Sequence, residues 1–281
     1  MIFNLFMNKN SSTAMIPHRS LGLREVWQIT LRTVVIVLTL SCLSTGDGNA
    51  QEFKSMKIKG SFLNIDKDNI IYKRGCVFEY DYYFLRAKDT LKISRNQGIN
   101  TFEKVSDDQM QINQLLFQII KPALFGRTNA GQSELTITAI NSSKQLLARS
   151  YTGLVENKYN VWLHPPRTSL FGILELNPFP YIQFPAAINK EWKDAMTISD
   201  HWSNALWKVW EGDVKINYEY KITGQKLIKF RNSEVLCWVI KSHAASRLGK
   251  TELVSFFNEK HGFILLNYRN IDGSETNFSL K

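Results

Sequence analysis

The segment His164-Pro165-Pro166-Arg167 sets an imidazole and a guanidinium on either side of a proline pair. Proline fixes its own φ and drives the preceding residue into extended backbone, so both side chains are held at defined positions on a rim. Two chemistries follow from that rigidity. Arg167 is suited to pairing with a carboxylate or phosphate, or His164 acts as a base with an acid such as Glu175 in a hydrolase-like site. The plainer alternative has His164 hydrogen-bonded to nearby backbone and Arg167 paired with Glu175. Shortly afterwards Trp192, Trp202, Trp207 and Trp210 fall within nineteen residues. Indole rings wall pockets for acyl chains and stack on sugar rings, but they also fill two-layer β cores. His164, Arg167, Trp192, Trp207 and Trp210 are the candidate ligand-binding residues on this basis.

Other catalytic constellations are missing from the sequence. There is no G-x-S-x-G elbow to present a nucleophilic serine. His164, His201, His243 and His261 show no H-E-x-x-H or other metal-ligand spacing, and no glycine-rich phosphate loop occurs. Glu79 and Asp81 share one side of an expected strand, which reads as a solvated face rather than a carboxylate pair for acid–base work. No catalytic residue, metal or cofactor is assigned. Cys76 and Cys237 belong to no CxxC pair. An oxidising compartment permits a disulfide between them, while their apolar strand contexts favour separate buried thiols.

The elements that must position these residues read as strands. In "DVKINYEYKITG" Val214, Ile216, Tyr218, Tyr220 and Ile222 alternate with polar residues, which puts one face in a core and the other in water. Further runs follow, with breaks at Ser246–Gly249, Asn258–Gly262 and Asp272-Gly273, the spacing of an antiparallel meander. In the N-terminal part "SMKIKGSF" alternates, "GCVFEYDYYFL" reads as a strand, and "ELTITAI" and "QLLARSY" flank an expected hairpin. A helix is expected over "DDQMQINQLLFQIIK", N-capped by Ser106 and stopped by Pro122. The stretch after His164 is expected to be a rigid cross-over covering one end of the sheet, because its five prolines withhold five backbone donors. The expected fold is mainly β: a twisted antiparallel sheet, half-barrel or sandwich, with one packed helix. Residues 51–158 would form an N-terminal lobe containing the helix, and 159–281 the meander, possible as one continuous domain.

Trp207 and Trp210 precede a Cys237-Trp238-Val239-Ile240 strand, then Thr251, then Gly262-Phe263-Ile264. Over about residues 190–280 this order resembles uncharacterised exported β-rich proteins of Gram-negative bacteria, a group sometimes termed TapB-like. The resemblance implies a fold and carries over no catalytic residue. The His164–Pro185 segment has no counterpart in it.

The N-terminus carries a targeting pattern. Thr33–Leu43 is an apolar run of eleven residues, the length of a signal-peptide core and too short to span a bilayer. Lys9, Arg19, Arg24 and Arg32 precede it, and Gly48-Asn49-Ala50 suits cleavage before Gln51, so residues 1–50 read as a signal peptide. The long basic region leaves Met7 and Met15 as alternative starts. Cys42, after Thr39-Leu40-Ser41, makes lipid anchoring the alternative to a soluble periplasmic protein. The net charge of +10 is scattered rather than clustered, which speaks against a nucleic-acid partner; a membrane enters only if Cys42 is lipidated. The function expected is that of a non-enzymatic periplasmic protein binding an apolar or amphipathic ligand or an envelope protein partner. A hydrolase using His164 and a purely structural assembly protein are the alternatives.

Overall fold

The computed structural model describes residues 69–120 and 132–281. The signal peptide, Cys42, the cut before Gln51 and the expected "SMKIKGSF" strand lie outside the described residues. Fourteen strands follow in chain order. They are β1 (Val77–Arg86), β2 (Asp89–Asn96), β3 (Ile99–Lys104), β4 (Gln114–Ile120), β5 (Ser133–Ile140), β6 (Leu146–Asn157) and β7 (Asn160–Leu163). After a 3-10 helix at Ser169–Leu176 come β8 (Tyr181–Gln183), β9 (Glu191–Ile198), β10 (Val214–Phe230), β11 (Ser233–Ser246), β12 (Gly249–Asn258), β13 (Gly262–Arg269) and β14 (Glu275–Leu280).

All belong to one antiparallel, open sheet with β1 at its centre. One meander, β4 to β8, leaves one edge of β1; the other, β14 back to β9, leaves the opposite edge. β1 pairs β4 through Val77–Asp81 and β2 through Phe84–Arg86, so the β2–β3 hairpin takes over that edge where β4 departs. The expected lobe and meander thus share one ladder, Tyr80–Leu85 against Glu275–Leu280.

The ends of this sheet must come close together. β8 and β9 stand at opposite ends of a twelve-strand path. Strands spaced about 4.8 Å apart would separate them by roughly 50 Å in a flat sheet. Only residues 184–190 join them, and seven residues reach at most about 25 Å. The sheet therefore curls. No ladder joins β8 to β9, but aromatic rings bridge the seam: Tyr181 meets Trp192 at 5.6 Å and Tyr220 at 5.4 Å, and Trp192 stacks on Tyr220.

The alternation in β10 holds: Val214, Ile216, Tyr218, Tyr220 and Ile222 are all buried. At Thr223 a bulge shifts the register, so Ile222 faces Ile240 but Gly224 faces Val239. One extra residue reverses which side each later residue points to. Ile228 and Phe230 consequently join Cys237, Phe256 and Ile264 in a second apolar cluster, separate from the main core.

The helix expected after Ser106 is not formed; Gln114–Ile120 is strand β4. Its buried residues Leu115, Phe117 and Ile119 recur at period two, between β1 and β5. The acidic residues read as a helix start make a turn instead, in which Asp108 Oδ1 accepts from Met110 N at 2.9 Å and Ser106 Oγ accepts from Asp108 N. Asp and Ser side chains that satisfy nearby amides compete with helix formation.

The packed helix lies elsewhere, inside the proline-rich segment. Leu170 to Leu176 are buried. Phe171 packs against Tyr82, Phe84 and Phe278, and Phe179 against Tyr218. Thr251 Oγ1 donates to Leu176 O at 2.8 Å, and Asn177 Nδ2 to Asn270 Oδ1 at 3.1 Å. The segment is rigid and docked, as its composition suggests, but it fills the face of the sheet from β1 to β12 rather than only covering one end.

Candidate functional site

His164 enters this packed segment directly from β7, its N donating to Gly153 O at 3.1 Å. Its ring sits between Trp162 and Phe179, with centroids 5.8 and 4.7 Å away. Nδ1 lies 2.8 Å from Pro165 O. A carbonyl only accepts, so Nδ1 carries the proton. That leaves Nε2 facing Glu175 Oε1 at 3.6 Å and Arg167 Nη1 at 3.4 Å. Arg167 Nε is 3.9 Å from the same Oε1. The His164 and Glu175 side chains are 3% and 0% exposed. A base must touch the proton it removes, and neither residue borders the cleft described next. The trio is an ion cluster that clamps the two ends of the 3-10 helix segment together.

Arg167 turns outward from the trio, its guanidinium 5.0 Å from the Trp202 ring. It forms one wall of a cleft of about 420 Å³ lined also by Thr168, Ser169, Gly172, His201, Trp202, Ser203, Asn204 and Trp207. The loop after β9 supplies the opposite wall. Trp207 Nε1 donates to Trp202 O at 3.2 Å, which fixes the Trp207 indole, and Ser203 Oγ accepts from the Trp210 backbone N at 2.9 Å, which ties the loop together. The nearby Asp200 points away, its Oδ2 accepting from Gly212 N.

A second cavity, of about 170 Å³, has Thr168 and Ser169 in common with the cleft. Ile112, Leu115, Ile137, Ala139, Ala148 and Phe171 give it an apolar floor, and Arg95 and Arg149 stand beside them. Arg95 Nη1 donates to Leu147 O at 2.6 Å, which orients its guanidinium, whereas Arg149 alternates with the cavity-lining Ala148 and donates Nε to Thr138 Oγ1 at 3.4 Å on the outer face of β5 and β6. Ser169, at the shared turn, holds a positive φ of 62°. A residue with a side chain pays for that conformation, and such outliers concentrate at binding sites.

Of the five residues singled out in the sequence, Arg167 and Trp207 line the cleft, and His164 supports Arg167 from behind. Trp192 and Trp210 do not line it: Trp192 closes the sheet seam, and Trp210 is buried in the main core. Trp192 points inward because it occupies an inward position of the alternating β9. The apolar cavity was not legible at all. Arg95 and Arg149 sit on β2 and β6, and nothing local in either strand marks them as neighbours. Glu79 and Asp81 are paired with lysines on the surface, Lys144 at 3.1 Å and Lys92 and Lys281 at 3.4 and 3.2 Å.

Cys76 and Cys237 are separate thiols. Cys76 precedes β1, and Cys237 lies on β11, four strands away along the sheet. Four strand spacings amount to about 19 Å, and a disulfide needs Cα atoms within about 7 Å. Burial pushes the Cys237 thiol up to about 11. Among the described residues no group of three or more His, Cys, Asp or Glu side chains gathers to hold a metal ion.

No family model and no curated protein matches the chain, so the TapB-like resemblance gains no support there. Three solved structures are similar. A protein of Bacteroides fragilis, assigned as exported and of YmcC-like fold, is 7% identical over 75% of this chain and 96% of its own, with a TM-score of 0.39. A protein of Parabacteroides distasonis assigned as a lipoprotein is 10% identical over 75% and 95%, with a TM-score of 0.42. The hypothetical lipoprotein YmcC of Escherichia coli is 10% identical over 76% and 90%, with a TM-score of 0.32. At such identities and TM-scores the likeness does not extend to function or compartment.

Proposed function

We propose that the chain is an exported, non-enzymatic protein of the cell envelope that binds a small amphipathic anion. The observation that carries this reading is the apolar cavity with Arg95 beside its hydrophobic floor. An apolar pocket with a few convergent polar groups is the usual form of a small-molecule site. A volume near 170 Å³ accepts one short alkyl group or one ring, since an engineered cavity of about 150 Å³ takes up benzene. The Arg95 guanidinium then meets the carboxylate or phosphate of the head group. Export is supported by the N-terminal apolar run, its basic flank and the small residues before Gln51. Burial of His164 and Glu175 favours ligand binding over the hydrolase reading.

Native mass spectrometry of protein isolated from the periplasm without detergent tests the reading. A retained amphiphile is expected in the wild type and should be lost from an Arg95→Ala variant. A bare chain mass in both, with no uptake of added alkyl carboxylate, would refute it.

A further inference from the structure

The cleft and the apolar cavity lie on either side of Thr168 and Ser169, which line both. The apolar cavity has room for one short apolar group; the cleft is larger and is lined mostly by polar atoms and indole rings. Hydroxyls of Thr168, Ser169 and Ser203, the Asn204 amide and the His201 imidazole supply donors and acceptors. Trp202 and Trp207 supply flat apolar surface, and Gly172 between them keeps the floor open. A Cβ at Gly172 would touch both indole rings at 3.5 Å, so any longer side chain there occupies the floor. Dispersed hydroxyl partners around an aromatic surface suit a hydroxylated ring. No Asp or Glu lines the cleft, and Arg167, whose Nε lies 3.9 Å from the buried Glu175 Oε1, turns its outer edge to that cleft, which favours an anionic group on that ring.

We infer that one glycosylated amphiphile spans both cavities, its sugar-acid ring against Trp202 and Trp207 and its alkyl part in the pocket behind Thr168 and Ser169. This rests on the amphiphile reading above and adds a sugar-acid ring seated in the cleft beside Arg167, apart from the Arg95 end of the pocket. Joining two groups that occupy neighbouring sites makes the second contact intramolecular, so the joined ligand binds more tightly than either part.

Calorimetric titration with hexanoate, glucuronate and hexyl glucuronide tests the inference, with Gly172→Leu and Trp202→Ala as cleft variants. The expected result is hexyl glucuronide binding at least tenfold more tightly than hexanoate, with either cleft variant removing that gain and leaving hexanoate binding intact. Trp202→Ala keeps the test open should Gly172→Leu fold poorly. Hexyl glucuronide binding no more tightly than hexanoate, or a gain unaltered by both variants, would overturn the spanning ligand while leaving the amphiphile reading in place. If neither alkyl ligand binds, both fall together.

Discussion

Glu175 Oε1 lies 3.6 Å from His164 Nε2 and 3.9 Å from Arg167 Nε, and the carboxylate is wholly removed from solvent. Taking one partner from a buried ion cluster leaves charge without compensation, which costs about 3–5 kcal/mol. Glu175→Ala should therefore lower stability by about 3 kcal/mol, toward the low end because the Arg167 side chain is 25% exposed and water can reach it. His164→Ala should cost about 1–3 kcal/mol through its lost hydrogen bond to Pro165 O. Urea unfolding followed by circular dichroism measures both. If His164→Ala left stability untouched and removed a measurable activity, the cluster would be catalytic instead.

Phe179 is fully buried among Trp162, His164 and Tyr218. Phe179→Ala should cost about 3–5 kcal/mol, the range for a large ring deleted from a packed core. The ranking Phe179→Ala above His164→Ala is checked in the same unfolding series.

Gly262 opens β13 at φ +79°, and a Cβ there would run into the Tyr72 hydroxyl. That hydroxyl accepts from Phe263 N at 3.0 Å, so the clash also breaks a buried hydrogen bond. Gly262→Ala should cost about 3 kcal/mol from backbone strain and the lost bond together. Gly98 has a similar φ of +83° with no atom nearby, and Gly98→Ala should cost only about 1 kcal/mol. Equal losses at both sites would contradict the close approach of Tyr72.

The meander from β10 to β14 was legible because one face is buried and the other wet, so period two is written in the residues. Its turns fell at Ser246–Gly249 and Asn258–Gly262, where the structure has them. Three things were hidden. In 107–121 seven apolar residues crowd together, and a broad helical stripe and a strand between two neighbours look alike at that density. The Thr223 bulge leaves the later alternation intact and only reverses its face. The apolar cavity arises where the proline-rich segment crosses β2, β5 and β6, and the cleft where that segment meets the loop after β9, both products of long-range contacts. Arg167 and Trp207 stood out because a rigid segment and an aromatic cluster mark their neighbourhoods locally; Arg95 and Arg149 have no such mark.

His261 packs against the Phe230 ring at 4.9 Å. Burial, with Lys260 and Arg231 nearby, lowers its pKa below the usual histidine value. The unfolded chain then binds the proton more readily than the folded one. The stabilising contribution is present above about pH 6.5 and is lost as pH falls through that value toward the folded pKa. His261→Phe keeps a ring beside Phe230, so its stability should fall less than wild type between pH 7 and pH 5. Parallel pH profiles of the two proteins would contradict this.

Uptake of an amphipathic anion beside Arg95 is read most directly from methyl resonances during a titration with hexanoate. Ile112, Leu115 and Ile137 line the apolar cavity, whereas Ile228 and Ile264 belong to the second cluster and serve as internal controls. Saturable shifts are expected at the first three and none at the controls, with the shifts abolished in Arg95→Ala. Unchanged methyl positions at millimolar hexanoate, or equal shifts in both clusters, would contradict a ligand site in this cavity.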